Sequence, residues 1–287
     1  MKIQEQAPAK INLALNILGR RTDGYHELRM VMQSVSLCDT VTVEETGTGF
    51  TLLADGFTVP AGKSSLEQQA AEAFFAAVGR PMPPLTVHLE KTTPAYAGLG
   101  GGSADVAALL RCLRRQYAPE MPVEQLRAIG LTVGSDMPFC VSGGTALAEG
   151  RGERLTALPA LPDCWIVLCK PEFGIPTPAL FTLADAGTPK NRPDIDGMIR
   201  ALSAGDLGGV AARLCNVFEE FLPEEYHEVF HIKNRLLELG ALNAAMSGSG
   251  PTVFGIFREK TAAKEAETAL KQRYPQTYLA KPVGELV

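Results

Sequence analysis

The stretch Pro94-Ala95-Tyr96-Ala97-Gly98-Leu99-Gly100-Gly101-Gly102-Ser103-Ala104-Asp105 constrains this chain more than any other. Four glycines fall within five residues. Before them, residues 85–89 read as a short strand. After them, Val106, Leu109, Leu110, Leu113 and Tyr117 form an apolar helical stripe that Pro119 ends. Such a junction must leave a strand, turn on nearly bare backbone and open an amphipathic helix. Glycines let the backbone turn sharply and approach a ligand without Cβ interference. The first N–H groups of the helix have no intrahelical acceptor. With the positive end of the helix dipole they suit a phosphate. Ser103 adds a hydroxyl for a phosphate or a metal ion. The alternative is a plain strand-to-helix turn or a flexible linker, and the regular elements on both sides favour the phosphate. No Gly-Lys-Ser/Thr follows, so this is not a Walker loop. No acidic residue closes a following strand, which excludes the Rossmann setting of a G-x-G pattern.

Strands and helices continue on both sides. Residues 9–18 read as a strand, because Ile11, Leu13, Leu15 and Ile17 alternate with Lys10, Asn12, Ala14 and Asn16. Residues 28–37 and 40–44 read as two more strands, and 65–78 as a helix with Ser65 and Gln68 in capping-box spacing. A Pro-, Ala- and Leu-rich run begins near Leu155, and residues 165–169 then read as a strongly apolar strand. The second half adds a helical region at 206–218 and a helix carrying Val229, Ile232, Leu236 and Leu239. A strand at 252–257 and a helix at 261–273 complete it. Both halves mix strands and helices, so the class is α+β. The 287 residues have room for two domains, divided here as 1–155 and 156–287.

Apolar residues make up 46% of the chain and charged residues 21%, enough for a sizeable core. A net charge of −5 gives no electrostatic basis for a nucleic-acid partner, so local lysines and backbone N–H groups must hold any anionic ligand. The six cysteines show no C-x-x-C spacing and read as buried free thiols, which suits a reducing cytoplasm. Residues 1–6 are polar, and no run approaches the ~18 apolar residues of a membrane span. The expectation is a cytoplasmic protein with no membrane partner; the oligomeric state is left open.

Several side chains beyond the glycine loop invite chemistry, each with a plainer reading beside it. Strand alternation puts Lys10 and Asn12 on the polar face, where a lysine is ordinarily just solvated. Asp136, in Gly134-Ser135-Asp136-Met137-Pro138-Phe139, reads as an N-cap with Pro138 in the first turn, or as a carboxylate that accepts a substrate proton. Asp23-Gly24 marks a turn. Tyr25 and His26 beside it either anchor that turn or stack on and hydrogen-bond a base. Met246-Ser247-Gly248-Ser249-Gly250 is a turn into a strand, or a second small-residue loop packed on the first. His88, His227 and His231 lack metal-ligand context and read as surface residues.

Together these segments resemble the GHMP kinase superfamily over nearly the whole chain. The glycine loop carries the resemblance to the superfamily. Ala7-Pro8-Ala9-Lys10-Ile11-Asn12-Leu13 and Gly19-Arg20-Arg21-Thr22-Asp23-Gly24-Tyr25-His26 narrow it to members acting on a cytidine-diphosphate-linked polyol. The resemblance implies a two-lobed fold: an N-terminal domain like the second domain of ribosomal protein S5, and a ferredoxin-like C-terminal domain. It implies an ATP-dependent kinase in which Asp136 takes the proton of a substrate hydroxyl and Lys10 steadies the charge. It further implies that Pro94, Ala95, Tyr96, Ala97, Gly98, Leu99, Gly100, Gly101, Gly102, Ser103 and Ala104 wrap ATP, with Mg²⁺ neutralising part of the phosphate charge. Asn12, Tyr25, His26, Thr177 and Phe181 are implied on the substrate side. Tyr96 stands where the family usually has glycine, Ala104 where it usually has serine, and Ser135 and Met137 where Ala and Val are common.

Overall fold

The computed structural model of the chain describes residues 2–54 and 64–287. Two 19-residue strands, β1 (Lys2–Arg20) and β2 (His26–Glu44), pair antiparallel and organise the first half. The two strands expected at 28–37 and 40–44 are therefore one. Its register jumps from Pro8↔Cys38 to Lys10↔Ser34, a bulge that bends the ribbon without ending it. The two arms of β2 find different partners. Residues 28–33 pair with β5 (Thr145–Gly150), and residues 40–44 pair with β4 (Leu85–Glu90). Beyond them lie β3 (Phe50–Ala54), parallel to β4, and β6 (Arg154–Ala157), antiparallel to β5.

Four helices pack with this sheet: α1 (Leu66–Ala77), α2 (Gly101–Tyr117), α3 (Val123–Leu131) and α4 (Met137–Ser142). The expected cap of α1 is present, with the Gln68 N–H donating to Ser65 Oγ at 3.1 Å. The α2 stripe buries Val106, Leu109, Leu110 and Leu113 against Phe74, Phe75, Met30 and Met32. Each such side chain contributes about 1.5–3 kcal/mol. α3, β3, β5 and β6 escaped the sequence reading because their apolar patterns are short.

The second sheet is built from β7 (Trp165–Cys169), β9 (Asn243–Met246), β10 (Val253–Phe257) and β11 (Thr277–Ala280). Helix α8 (Glu228–Glu238) precedes β9, and α9 (Lys260–Lys271) lies between β10 and β11. The sheet order β11-β7-β10-β9, antiparallel throughout, is the β-α-β-β-α-β arrangement of a ferredoxin-like layer. Helices α5 (Thr177–Asp185), α6 (Ile195–Ser203) and α7 (Leu207–Ala211) precede the short β8 (Cys215–Asn216), which joins β1 in parallel. The helix expected at 206–218 stops at Ala211, and a 3₁₀ turn covers Val217–Phe221. Asn216 lies beyond this break, in the strand that precedes the 3₁₀ turn. Its Oδ1 accepts from the Phe218 N–H at 3.0 Å, a local bond that competes with helix. A last strand, β12 (Pro282–Val283), returns to β2 at Val35 and Ser34.

Both faces of β1 are covered. Ala9, Ile11 and Leu13 pack with Ile166, Leu168 and Phe254 of the second sheet and with α6, while Ala7 and Leu15 join the core under α2. The mid-strand polar side chains Lys10, Asn12 and Asn16 are therefore inside, which corrects the solvated reading of Lys10: it is 5% exposed and Asn12 1%. The cysteines are free thiols, four of them buried. Among the described residues no helix is long and apolar enough to cross a membrane.

Candidate active site

The bulge between Pro8 and Lys10 turns the Lys10 N–H out of the β1–β2 ladder. It donates instead to the carbonyl of Leu99 in the glycine loop, at 2.9 Å. The side chain then runs under Gly100. A Cβ there would lie 3.0 Å from Lys10 Cγ, and Gly100 has φ +68°, so only glycine fits without strain. Nζ donates to Asn12 Oδ1 at 2.8 Å and lies 3.6 Å from Asp136 Oδ2. Gly248 closes the other side, where a Cβ would lie 3.2 Å from Nζ. Lys10 and Asn12 on β1, Asp136 and Gly248 come from three separate stretches of the chain.

Asp136 occupies the N-cap position of α4, but its side chain makes no capping bond. The plainer reading thus holds for its position, with Pro138 in the first turn, but not for a side-chain capping bond. Its carboxylate faces Lys10 and keeps 34% of its surface open, so a substrate hydroxyl can reach it. The glycine loop lies beside this pair. Gly100, the N-cap of α2, offers no side chain, and no acidic residue stands in the first turn. The first intrahelical bond is donated by the Ala104 N–H to the Gly100 carbonyl at 2.8 Å. The N–H groups of Gly101, Gly102 and Ser103 have no backbone acceptor among the described residues. Gly102 is exposed, with nothing within 4 Å of where a Cβ would stand. Unengaged N–H groups at a helix N-terminus are an arrangement that suits an anion. Pro94, Ala97, Leu99 and Ala104 are buried, so they shape the loop from below, and the Ala104 N–H is already engaged.

The second small-residue loop does pack on the first. Ser247 Oγ donates to the Gly98 carbonyl at 2.9 Å, and the Thr252 N–H donates to the Ala97 carbonyl at 3.3 Å. A Cβ on Gly98 would run into the Ser247 carbonyl oxygen. Asn216 holds this loop from behind, its Nδ2 donating to the carbonyls of Met246 and Gly248 at 2.8 Å each.

Comparison with known proteins agrees with this geometry. Residues 65–144 match the description "GHMP kinases N terminal domain", and residues 198–276 match "GHMP kinases C terminal". The 4-diphosphocytidyl-2-C-methyl-D-erythritol kinase of Moorella thermoacetica is 42% identical over 96% of this chain and 97% of its own. The chain belongs to the 4-diphosphocytidyl-2-C-methyl-D-erythritol kinase family. The Listeria monocytogenes kinase of that name is 39% identical over 99% of this chain and 97% of its own. A crystal structure of 4-(cytidine 5'-diphospho)-2C-methyl-D-erythritol kinase superposes with TM-score 0.82 at 32% identity, covering 98% of this chain and all of that one. The homoserine kinase of Cytophaga hutchinsonii shares the fold at 17% identity, with TM-score 0.76 over 99% of this chain and 95% of its own. The chain is an ATP-dependent kinase of the GHMP superfamily with the two-part fold expected from its sequence.

Of the residues expected on the substrate side, Asn12 lies beside Lys10 in β1, Tyr25 and His26 lie at the turn between β1 and β2, and Thr177 and Phe181 lie on α5. His26 is buried, its ring stacked on Phe181 with centroids 4.4 Å apart and planes 19° apart. Phe181 in turn meets Phe218 edge-on at 5.0 Å. Tyr25 is half exposed, with the Arg151 guanidinium 4.5 Å over its ring. Thr177 and Ser249 share a hydroxyl–hydroxyl bond of 2.6 Å, which ties α5 to the second loop. Tyr96 is 85% exposed at φ +52°, the only non-glycine residue with positive φ among those described. Its backbone conformation accounts for the family's glycine there.

Sequence reasoning missed three features. Asn216 gave no pattern of its own. Asp185, which bonds His26, follows an otherwise apolar run in α5. The third is a buried cluster under the glycine loop. Lys91 Nζ bridges Asp39 Oδ2 and Asp105 Oδ2, and Asp39 Oδ1 accepts from the N–H groups of Thr92 and Thr93 at 2.5 and 2.7 Å. Asp105 Oδ1 and Thr93 Oγ1 are buried with no partner among the described residues. Burial, opposed by Lys91, pushes the Asp105 carboxyl up to about 7. Two carboxylates around one ammonium leave an excess negative charge in a dry place. Burial works against the Lys91 ammonium, but Asp105 and Asp39 outweigh it and raise its pKa. An acidic residue within an apolar strand or helix stripe, such as Asp39 or Asp105, was the available clue.

Proposed function

We propose that the protein transfers the γ-phosphoryl group of ATP to the 2-hydroxyl of 4-diphosphocytidyl-2-C-methyl-D-erythritol, giving the 2-phosphate and ADP. The observation that carries this reading is the Lys10–Asp136 pair, 3.6 Å apart, set beside unengaged N–H groups at the start of α2. As the substrate oxygen bonds to the γ-phosphorus, Asp136 accepts the hydroxyl proton and the bond to the β,γ-bridging oxygen breaks. Lys10, held by Asn12, offsets the charge that gathers between the carboxylate and the phosphates. Residues 1–155 hold the nucleotide, and residues 156–287 bring Thr177 and Phe181 to the base. Phosphoryl transfer asks mainly for positioning and charge neutralisation, which this constellation provides.

Residues 94–104 fit ATP on the chemistry of their donors, since they offer unpaired N–H groups, bare glycine and no competing carboxylate. No group of three His, Cys, Asp or Glu side chains converges among the described residues. Mg²⁺ binds chiefly through phosphate oxygens and one or two protein oxygens, and Ser103 stands at the start of α2 to supply one. The bound ion supplies charge neutralisation. The free thiols suit the cytoplasm.

The test is ATP consumption with the cytidyl substrate beside free methylerythritol phosphate, homoserine and mevalonate. Turnover with the cytidyl compound alone supports the proposal. Turnover with homoserine or mevalonate instead, or with none of them, overturns it.

A further inference from the structure

We infer that Asp185 fixes the tautomer of His26 and so makes the other ring nitrogen an acceptor that selects a pyrimidine bearing an exocyclic amine. The inference rests on the proposed base site at His26 and Phe181, and it concerns a residue that holds another in place. Asp185 Oδ1 lies 2.7 Å from His26 Nε2. An ionised carboxylate can only accept, so Nε2 must carry the hydrogen. In a neutral imidazole Nδ1 then presents a bare lone pair. Nothing among the described residues donates to Nδ1, although His26 is 9% exposed. The ring is not free to turn over, because Phe181 lies flat against it and Phe218 backs Phe181. On the far side, Arg20 Nη1 stands 3.9 Å from Asp185 Oδ2 and holds the carboxylate in place.

The position of Asp185 adds an independent argument. It is the last residue of α5, and no basic residue stands in that last turn. The negative end of a helix dipole disfavours a carboxylate there. The bond to His26 is the compensation that the structure offers.

The consequence is chemical. An acceptor nitrogen takes a hydrogen from the 4-amino group of cytosine. It meets the 4-carbonyl of uracil lone pair against lone pair and leaves both unpaired. Sites built to satisfy a hydrogen-bonding group reject the analogue that lacks it far more strongly than stacking can. Stacking by itself tolerates either base.

Two readouts test this, and the first needs no turnover. Two-bond ¹⁵N–¹H correlation on the free protein at pH 8 should show His26 with its hydrogen on Nε2. The Asp185→Ala variant should lose that preference and Asp185→Glu should keep it. A hydrogen on Nδ1 in the wild type, or a doubly protonated ring, overturns the inference. The second readout is calorimetric binding of cytidine diphosphate and uridine diphosphate. The wild type should favour the cytidine compound by about tenfold or more. Asp185→Ala should narrow that ratio, chiefly by weakening the cytidine compound, and Asp185→Glu should restore most of it. An unchanged ratio in folded Asp185→Ala, or no base preference in the wild type, also overturns it. Failure of the proposed reaction shows up separately, as absent phosphorylation in a protein that still distinguishes the two diphosphates.

Discussion

Asp136 stands at the N-cap of α4 yet leaves the helix uncapped. Replacing it with asparagine removes no capping bond of the helix but takes the counter-charge from the buried Lys10 ammonium, so Asp136→Asn should still fold, with a lowered Tm. The amide cannot accept a proton, so kcat should fall by about 10² to 10⁴. Near-normal kcat in the folded variant would remove Asp136 from the chemistry. Asp105 makes the opposite kind of prediction. Its carboxyl is raised from 3.8 to about 7 in the folded protein. The folded state thus binds the proton more tightly than the unfolded chain does. The resulting stabilisation is full below pH ~4 and is lost as the pH rises through about 7, on the order of a few kcal/mol. Asp105→Asn should flatten that part of the stability curve. Urea unfolding at steps between pH 4 and 8 reads the slope, and an equal slope in both proteins would place the proton elsewhere.

At the scale of elements, the start of α2 separates two jobs that the glycine pattern merges. A side chain on Gly98 would run into the Ser247 carbonyl, whereas one on Gly102 meets nothing. Gly98→Ala should therefore lower Tm, since φ at Gly98 is also +73°. Gly102→Ala should leave Tm unchanged or raise it, because alanine is worth up to about 1 kcal/mol over glycine in a helix. Its ATP affinity should drop all the same if phosphate approaches that face. Calorimetric titration with ATP beside a thermal melt separates the two outcomes. Asn216 belongs to this scale as well. Asn216→Ala leaves the Met246 and Gly248 carbonyls without their donor, at about 1–3 kcal/mol, and should raise KM for ATP more than it lowers kcat. An unchanged KM would show that the second loop does not support the nucleotide site.

For the whole molecule, residues 281–287 act as a strap across the first sheet. β12 pairs with Val35 and Ser34, the Leu286 N–H donates to the Ser142 carbonyl at 2.8 Å, and Glu285 bridges to Gly143. The strap thus grips the end of the helix that Asp136 begins. Deleting these residues should lower Tm by several degrees, at about 2–4 °C per kcal/mol, and reduce kcat through displacement of α4. A thermal melt and steady-state kinetics check both, and full kcat in the shortened protein would free α4 from the strap. Much of this molecule was legible before folding. Local order, such as the capped helix after Ser65, the apolar strand at Trp165 and the glycine junction at Gly98–Gly102, follows from patterns within a dozen residues. The resemblance to a kinase family rests on such contiguous segments. What the sequence could not disclose depends on contacts across hundreds of positions. Lys10 alternates as a surface lysine would, and it is buried only because α2 and a second sheet cover both faces of β1. Asp185 and His26 lie 159 residues apart in sequence and 2.7 Å apart in space. Short-range pattern records what each segment prefers by itself, whereas the charge, burial and partners of a side chain are set by whichever distant segment packs on it.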